Sequence, residues 1–256
     1  MEKSKGSPSV VKSNKEIELM KLSGKICAQV LKSVLENVKA GVSCLTLDRI
    51  AKAEVEKRGA TPSFMTVDDY RWTICTTVNE QVVHGIPKER SLENGNILGI
   101  DIGVFYKGFH SDMAITVPIG EVSGSVKKFL AVGKNTLKEA IGQAKVGNRI
   151  GDISATIQEQ VEKANFSIVK NLTGHGIGRQ LHEEPVVPGF GKKETGSKIL
   201  ENMVFAIEVI YTQGSGRVKL EEDHWTISTV DGSLAGLFEQ TVAITKGGPI
   251  VLTPYL

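Results

Sequence analysis

Apolar residues recur at helical spacing near the start of the chain. Ser13 and Glu16 have the spacing of a capping box, which predicts a helix start. The apolar stripe behind it comprises Ile17, Met20, Ile26, Val30, Val34 and Val38. Gly41 is predicted to end this helix, and a second helix is predicted over residues 46–57, closed by Gly59.

The same pattern returns in the second half of the chain. A long helix is predicted over residues 125–144, and residues 145–165 then match residues 39–59 at an offset of 106 positions. The identical pairs are Lys39/Lys145, Gly41/Gly147, Val55/Val161, Glu56/Glu162 and Lys57/Lys163. Chance is one explanation for these identities, and duplication of a helix–loop–helix unit is the other.

Each helical unit is followed by strand-like runs with glycines between them. This order predicts one domain over residues 13–256, built from two αβ halves, about 13–124 and 125–250, around a shared sheet. Residues 1–12 are polar and basic and are predicted to form a disordered tail. A site made by strands of both halves would lie at their junction.

Four of the strand-like apolar runs each contain one carboxylate. These are Asp101, Asp112, Glu208 and Glu239. A carboxylate buried in a strand costs free energy unless it is paired or bound to a cation. Four such strands, together with His175 in a glycine-rich stretch, indicate a metal site.

Residues 96–117 are predicted to form a β-hairpin with a loop at Phe105–Gly108. If the loop is centred between Tyr106 and Lys107, Asp101 and Asp112 face each other across the hairpin. Two opposed carboxylates repel, and a bound cation is the usual resolution. The alternative is a pair of solvated acids on an exposed hairpin.

His175 lies between Gly174 and Gly176, and His182 follows seven positions later. A single histidine is more often a structural group than a ligand, but flanking glycines permit close backbone approach at a crowded centre. Two nucleotide-binding interpretations are weak. Arg179 stands where a dinucleotide loop needs its third glycine, and residues 191–198 carry Ser and Lys in the reverse order of a phosphate-binding loop.

Composition narrows the class of protein. A chain of 256 residues with 40% hydrophobic residues fits one large α/β domain or two fused halves. A net charge of +2 and 5% aromatic residues give no indication of sequence-specific nucleic-acid binding. Cys27, Cys44 and Cys75 lack CxxC spacing, so a reducing cytoplasm is expected. No apolar run approaches the ~18 residues of a membrane helix.

Five motifs carry a resemblance to a known family. They are NEQVVHGIP (79–87), DIG with SDMAIT (around Asp101 and Asp112), TGHGIGRQLHEEP (173–185), AIEV and FEQT. In this order they make the chain similar to the type I methionine aminopeptidases along nearly its whole length. The resemblance implies the pita-bread fold, an α+β arrangement of two pseudo-symmetric halves around a curved antiparallel sheet with helices on its outer face.

Related subfamilies fit less well. The Xaa-Pro peptidases and creatinases carry an extra N-terminal domain, which is not expected for this chain. The 26 positions from His182 to Glu208 leave no room for the helical insertion of type II methionine aminopeptidases. An N-terminal zinc-finger extension is also missing.

The resemblance implies two divalent ions, Co, Mn, Fe(II) or Zn. Asp112 and Glu239 would bridge the ions, Asp101 would chelate one of them, and His175 and Glu208 would complete the other. Carboxylates with one imidazole suit these metals, and no thiolate forces a choice among them.

The resemblance also assigns groups to the reaction and to the substrate. Glu208 would act as the acid/base, and His84 and His182, which are not ligands, would hydrogen-bond the substrate and the tetrahedral intermediate. Residues Tyr70, Cys75 and Trp225 would form the methionine pocket, although each alone would be ordinary core. His110 and His224 match no role and are expected at the surface or beside a ligand.

The implied activity is removal of the initiator methionine from nascent polypeptides whose second residue is small. The enzyme would be a cytoplasmic monomer that contacts the ribosome transiently. Val209, Gln240 and Leu181 depart from the family pattern, which places the fine shape of the site in question. The alternatives are a Xaa-Pro aminopeptidase or dipeptidase of the same fold, and a catalytically inactive pita-bread binding module.

Overall fold

The structure, a computed structural model, describes residues 10–256. The α-helices of this part are α1 (Asn14–Leu35), α2 (Cys44–Lys57), α3 (Gly124–Gln143) and α4 (Ile150–Lys163), and a short 3-10 helix covers Phe64–Thr66. The strands are β1 (Thr61–Pro62), β2 (Ile74–Val78), β3 (Gln81–Val83), β4 (Ile97–Tyr106), β5 (Phe109–Pro118), β6 (Ser167–Ile168), β7 (Thr173–Gly176), β8 (Glu183–Pro188), β9 (Val204–Thr212), β10 (Val218–Leu220), β11 (Ile227–Thr229), β12 (Ala235–Thr245) and β13 (Gly248–Val251). None of the described helices combines the length and apolar character needed to cross a bilayer.

The predicted start of α1 is confirmed. The Ser13 side chain accepts the Glu16 N–H, and the Glu16 carboxylate accepts the Ser13 N–H in return. The helix ends at Leu35 rather than at Gly41, because the N–H groups of Asn37 and Val38 bond to carbonyls three residues back and tighten the last turn.

The main sheet is antiparallel throughout. Its central path runs β1, β4, β5, β12, β9, β7 and β8, with β2 beside β4, β13 beside β12 and β6 beside β9. A smaller sheet has the order β10, β11 and β3. The predicted α+β class is confirmed.

The helices cover one face of the main sheet. Leu98, Ile100 and Ile102 of β4 pack with apolar residues of α1 and α2. In the second half, β9 and β12 turn alternate residues toward α3 and α4 in the same way, including Val209 and Phe238. Because side chains alternate along a strand, the residues between them, which include all four predicted carboxylates, face the other side.

The helical repeat has an exact structural counterpart in α2 and α4, which both have 14 residues and begin and end 106 positions apart. Gly41 and Gly147 precede them with φ of 87° and 96°. Gly59 and Asn165 follow them with φ of 66° and 64°. This correspondence supports a proposal of two related halves.

The hairpin register differs from the prediction. Tyr106 pairs with Phe109, Asp101 with Ala114, and Gly103 with Asp112. The turn is the two-residue loop Lys107-Gly108 with φ of 50° and 86°, the backbone required by a type I′ turn. Asp101 and Asp112 are therefore diagonal neighbours on one face instead of a directly opposed pair.

The end of the predicted tail also differs. Residues 1–9 lie outside the described residues, but residues 10–12 join the fold. Val11 pairs with Met203, and the Lys12 side chain is buried against Glu183. The polar, basic composition predicts a tail, whereas local pairing and an opposite charge hold these three residues in place.

Candidate metal centre

The five predicted ligands lie on the sheet face away from the helices. They fall in two neighbouring rows, where a row is the set of residues that stand opposite one another on successive strands. The first row is Cys75, Asp101, Ala114, Glu239 and Glu208, on β2, β4, β5, β12 and β9. The second row is Gly103, Asp112, Thr241, Ala206 and His175, on β4, β5, β12, β9 and β7. Residues opposite each other in an antiparallel sheet share a face, so the five polar side chains converge.

The polar atoms of these rows lie close together. Asp112, His175 and Glu239 each offer a ligand atom, all within 4.8 Å of one another. His175 Nε2 lies 3.6 Å from Glu208 Oε1. Asp101 Oδ1 and Glu239 Oε1 are buried without a hydrogen-bond partner among residues 10–256. Unpartnered buried carboxylate oxygens are costly, and this donor set fits a divalent cation.

Burial changes the protonation of all four carboxylates. It raises the pKa of Asp101 to about 7. Burial, followed by the charges of neighbouring carboxylates, raises the pKa values of Asp112, Glu208 and Glu239 well above their usual range. Without a cation the cluster therefore retains protons near neutral pH, and a bound cation would displace them.

His175 has one ring nitrogen fixed and the other directed at the carboxylates. Its Nδ1 lies 2.8 Å from the Gly176 carbonyl oxygen, so Nδ1–H donates and Nε2 is available as a ligand. Burial lowers its pKa to about 4, which keeps the ring neutral. A Cβ at Gly174 would lie 2.4 Å from the Ala206 oxygen, so the predicted close approach is present.

His84 and His182 lie at the exposed side of the carboxylate cluster. His84 follows β3 with a φ of 56°, a conformation that few residues other than glycine adopt. The His182 ring centroid is 4.5 Å from that of His175. Partial burial lowers the pKa of both histidines, so each is a neutral imidazole with one N–H to donate.

A cavity of about 130 Å³ lies directly beside the two rows. All ten predicted site residues line it: Tyr70, Cys75, His84, Asp101, Asp112, His175, His182, Glu208, Trp225 and Glu239. The rings of Tyr70 and Trp225 meet edge-on at 5.0 Å. The Tyr70 hydroxyl lies 3.1 Å from Cys75 Sγ. An open cleft of about 710 Å³ leads to the same histidines from outside.

The cavity also has lining residues that the sequence did not indicate. Phe64 and Val67, from the short 3-10 helix and its C-terminal end, Val83 of β3 and Leu237 of β12 complete the apolar wall. Phe64 and Val67 stand outside any periodic run, so no pattern marks them as pocket lining. Leu237 stands two positions before Glu239 in one strand and shares its face, which is a signal that could have identified it.

The three departures from the family pattern have different positions. Val209 packs in the core between the sheet and the helices of the second half, and the Gln240 amide donates to the Thr253 carbonyl on the helix side of the sheet. Only Leu181 borders the cavity. Any change in the shape of the site therefore comes from Leu181 directly and from the other two only through the strands that carry them.

The two unassigned histidines lie outside the cavity lining. His224 is exposed, as expected. His110 is only 6% exposed, so a surface position is wrong for it. Its Nδ1 lies 2.9 Å from Ser63 Oγ, and its ring packs on Phe105 at 4.5 Å.

Comparison with known proteins agrees with this geometry. The model of metallopeptidase family M24 matches residues 18–230. The methionine aminopeptidase of Clostridium perfringens is 43% identical over 95% of this chain and 98% of its own length. Methionine aminopeptidase 1 of Bacillus subtilis is 41% identical over the same shares. The crystal structure of methionine aminopeptidase from Thermotoga maritima superposes with a TM-score of 0.93 at 37% identity, covering 95% of this chain and 98% of that one.

The pita-bread fold and the carboxylate-rich centre define a metal-dependent peptidase. The similarity extends over almost the whole length of each relative, so it also identifies the group within the family. It belongs to metallopeptidase family M24 and, within that family, to the methionine aminopeptidases. Membership of this family implies the use of divalent metal ions, and the predicted resemblance is confirmed.

Proposed function

We propose that this protein removes the initiator methionine from polypeptides whose second residue is small, with two divalent ions at the centre. The observation that carries the proposal is the position of the two ligand rows beside a mainly apolar cavity of about 130 Å³. A centre for peptide hydrolysis and a slot for one side chain are thus adjacent.

Asp112 and Glu239 would bridge the ions, Asp101 would chelate one, and His175 and Glu208 would complete the other. The ions would be Co, Mn, Fe(II) or Zn. When bound, they activate a water molecule and stabilise the negative charge that develops on the peptide carbonyl. The partner-free oxygens of Asp101 and Glu239 support this use.

Glu208 is the acid/base of the reaction. It lies in the first row opposite Glu239 and within 3.6 Å of His175, and it lines both the cavity and the open cleft. It is therefore in place to accept a proton from the attacking water and to deliver it to the leaving amine.

His84 and His182 donate hydrogen bonds to the substrate. Both border the cavity and the open cleft, so a peptide that enters from outside meets them beside the carboxylates. Neutral imidazoles supply N–H groups without adding charge to a metal centre. His182 is assigned to the carbonyl oxygen as negative charge develops there.

Tyr70, Cys75 and Trp225 bind the methionine side chain. Aromatic rings and a thiol form a polarisable wall, and such surroundings suit a thioether. Leu181 contributes an aliphatic surface to the same wall.

The substrates are the N-termini of nascent polypeptides. This assignment places the enzyme in the cytoplasm, with transient contact at the ribosome, and we propose that it acts as a monomer. These points rest on the similarity to methionine aminopeptidases.

A peptide assay tests the function. Metal-depleted protein should be inactive and should cleave a Met-Ala-Ser peptide when Mn, Co or Fe(II) is restored. A Met-Lys-Ser peptide, with a long second side chain, should remain intact. Cleavage of an Ala-Pro-Ala peptide instead would identify a Xaa-Pro peptidase, and cleavage of neither with any metal would identify a binding module. Activity that survives exhaustive chelation would contradict the metal centre.

A further inference from the structure

A buried ion pair attaches the loop that presents His182 to the first described residues of the chain. Lys12 Nζ lies 2.6 Å from Glu183 Oε2, and the two side chains are 4% and 3% exposed. The other carboxylate oxygen, Glu183 Oε1, accepts the Gln180 N–H at 3.0 Å. The residue next to His182 therefore closes its own loop and ties that loop to Lys12.

Lys12 is itself held at a fixed place. Its N–H donates to the Asn202 carbonyl at 2.9 Å, and the preceding residue pairs with Met203, directly before β9. Its stem lies against the loop, since a Cβ at Gly178 would come within 2.4 Å of Lys12 Cε. The ion pair thus connects the His182 loop to the start of the strand that carries Glu208.

A stabilising role alone does not account for this pair. Burying two charges costs desolvation that their attraction roughly offsets, so a buried ion pair is weak evidence for added stability. The same loop has a second ion pair, Arg179 with Glu16, but the Arg179 side chain is 58% exposed, so water screens that pair. Backbone bonds also hold the loop, since the His110 N–H donates to the Gly178 carbonyl and Gly176 pairs with Glu183. The buried pair is the side-chain contact that fixes the Glu183 carboxylate beside them.

We infer that Lys12 is a positioning residue: through Glu183 it holds the His182 imidazole where the substrate carbonyl oxygen develops negative charge. The inference rests on the proposed role of His182. Lys12 does not contact substrate, so its effect must pass through the His182 loop. This requirement separates it from a residue that only supports the fold.

The test is a set of double-variant comparisons on the metal-loaded enzyme with a Met-Ala-Ser peptide. Lys12→Met should lower kcat on the order of 10–10²-fold with little change in KM. The reason is that moving the His182 imidazole away from the carbonyl oxygen should cost part of the kcat that deleting the imidazole costs. In a His182→Ala background, which itself should cost about 10²–10³-fold in kcat, Lys12→Met should cause no further loss. In a His84→Ala background it should keep its full effect.

A second variant separates positioning from folding. Lys12→Met leaves the Glu183 carboxylate buried without its cation, whereas Lys12→Met/Glu183→Gln removes both charges, keeps an amide oxygen for the Gln180 N–H and should recover most of the free energy of unfolding. The double variant should remain as slow as Lys12→Met. Lys193→Met, which breaks the exposed Lys193–Glu159 pair, is the matched control and should match the wild type.

Two outcomes would overturn the inference. One is recovery of kcat together with stability in the double variant. The other is an equal loss from Lys12→Met in the His182→Ala and wild-type backgrounds. A His182→Ala protein with unchanged kcat would refute the proposed role of His182 first, and the positioning role would fall with it.

Discussion

At the scale of single residues, the carboxylates of the centre differ in their surroundings. Asp112 is tied to its neighbour strand, since its N–H donates to Thr241 Oγ1 at 2.9 Å and the same hydroxyl donates back to its carbonyl at 2.7 Å. Asp101 stands toward the end of its row, next to Cys75, with an oxygen that has no partner among the described residues. The first position suits a bridging ligand and the second a terminal one.

Asparagine substitutions should separate these two positions. Asp101→Asn should reduce the number of tightly bound ions from two to one. Asp112→Asn should abolish tight binding of both, because a neutral amide bridges two cations poorly. Isothermal titration of chelator-treated protein with Mn measures each stoichiometry. Glu121→Gln, at a side chain that is 96% exposed, is the control. Equal stoichiometry in the two aspartate variants would contradict the bridging assignment.

The carboxylates of the proposed centre could be singled out from sequence because a carboxylate inside an apolar run has few physical explanations. Lys12 and Phe64 had no comparable signal. A lysine near the start of a chain is usually solvated, and only the fold shows that Glu183, 171 positions away, buries it. Long-range partners of this kind leave no local pattern.

At the scale of elements, the line of backbone pairing between β5 and β12, here called the seam, is short, although both strands carry a predicted ligand. Only Glu239 with Ala114 and Gln240 with Met113 pair directly. The final segment of the chain supplies further bonds across the seam. The Tyr255 hydroxyl lies 2.7 Å from the Ala114 carbonyl oxygen and 3.2 Å from that of Glu239. A side chain thus joins the two strands behind the centre.

Removal of that hydroxyl should loosen the seam. Tyr255→Phe should lower the free energy of unfolding by about 1–2 kcal/mol, since buried carbonyls lose their donor. It should also weaken metal binding, because Asp112 and Glu239 lie on the strands it joins. Urea denaturation and metal titration measure the two effects. Tyr106→Phe, at the far end of the hairpin, should change neither. Unchanged stability and metal affinity in Tyr255→Phe would show that the backbone pairs and the threonine hydroxyl bonds hold the strands without Tyr255.

For the hairpin of β4 and β5, the sequence predicts the two strands and the position of the loop but not the pairing register. The strands and the loop were predictable, but the register was wrong because a turn centred on Tyr106-Lys107 and one centred on Lys107-Gly108 both contain the same glycine. The positive φ of Lys107 selects the second. The resulting shift is an even number of residues, so Asp101 and Asp112 still share one face, as the proposed site requires.

At the scale of the whole molecule, the centre joins the two proposed halves. Asp101 and Asp112 come from the first, and His175, Glu208 and Glu239 from the second. Four carboxylates that meet at this junction repel one another when ionised, and that repulsion opposes folding in the absence of a cation. Stability of the metal-free protein should therefore depend on pH through the centre.

The direction follows from proton binding. Above about pH 6.5 the carboxylates of an unfolded chain are ionised and its histidines are mostly neutral. The folded, metal-free chain still holds protons there, because burial raises the pKa of Asp101 to about 7 and those of Asp112, Glu208 and Glu239 well above their usual range. The folded state binds more protons, so its stability falls as pH rises. Near and below pH 6.5 the histidines of the unfolded chain take up protons, and the lowered pKa values of the four cavity and core histidines act in the opposite direction.

Urea denaturation in the presence of a chelator should therefore give a lower midpoint at pH 8.5 than at pH 7.5, where the histidines of the unfolded chain are already neutral. Saturating Mn should remove or reverse this difference, because ions replace the protons and bind more tightly as pH rises. Asp112→Asn removes one ionisable group from the cluster and should flatten the dependence in chelator, while Glu121→Gln should leave it unchanged. A metal-free protein whose midpoint stays constant or increases from the lower to the higher pH would show that the carboxylates ionise without a cost in stability. Repulsion within the buried cluster would then not be the reason that the fold needs metal ions.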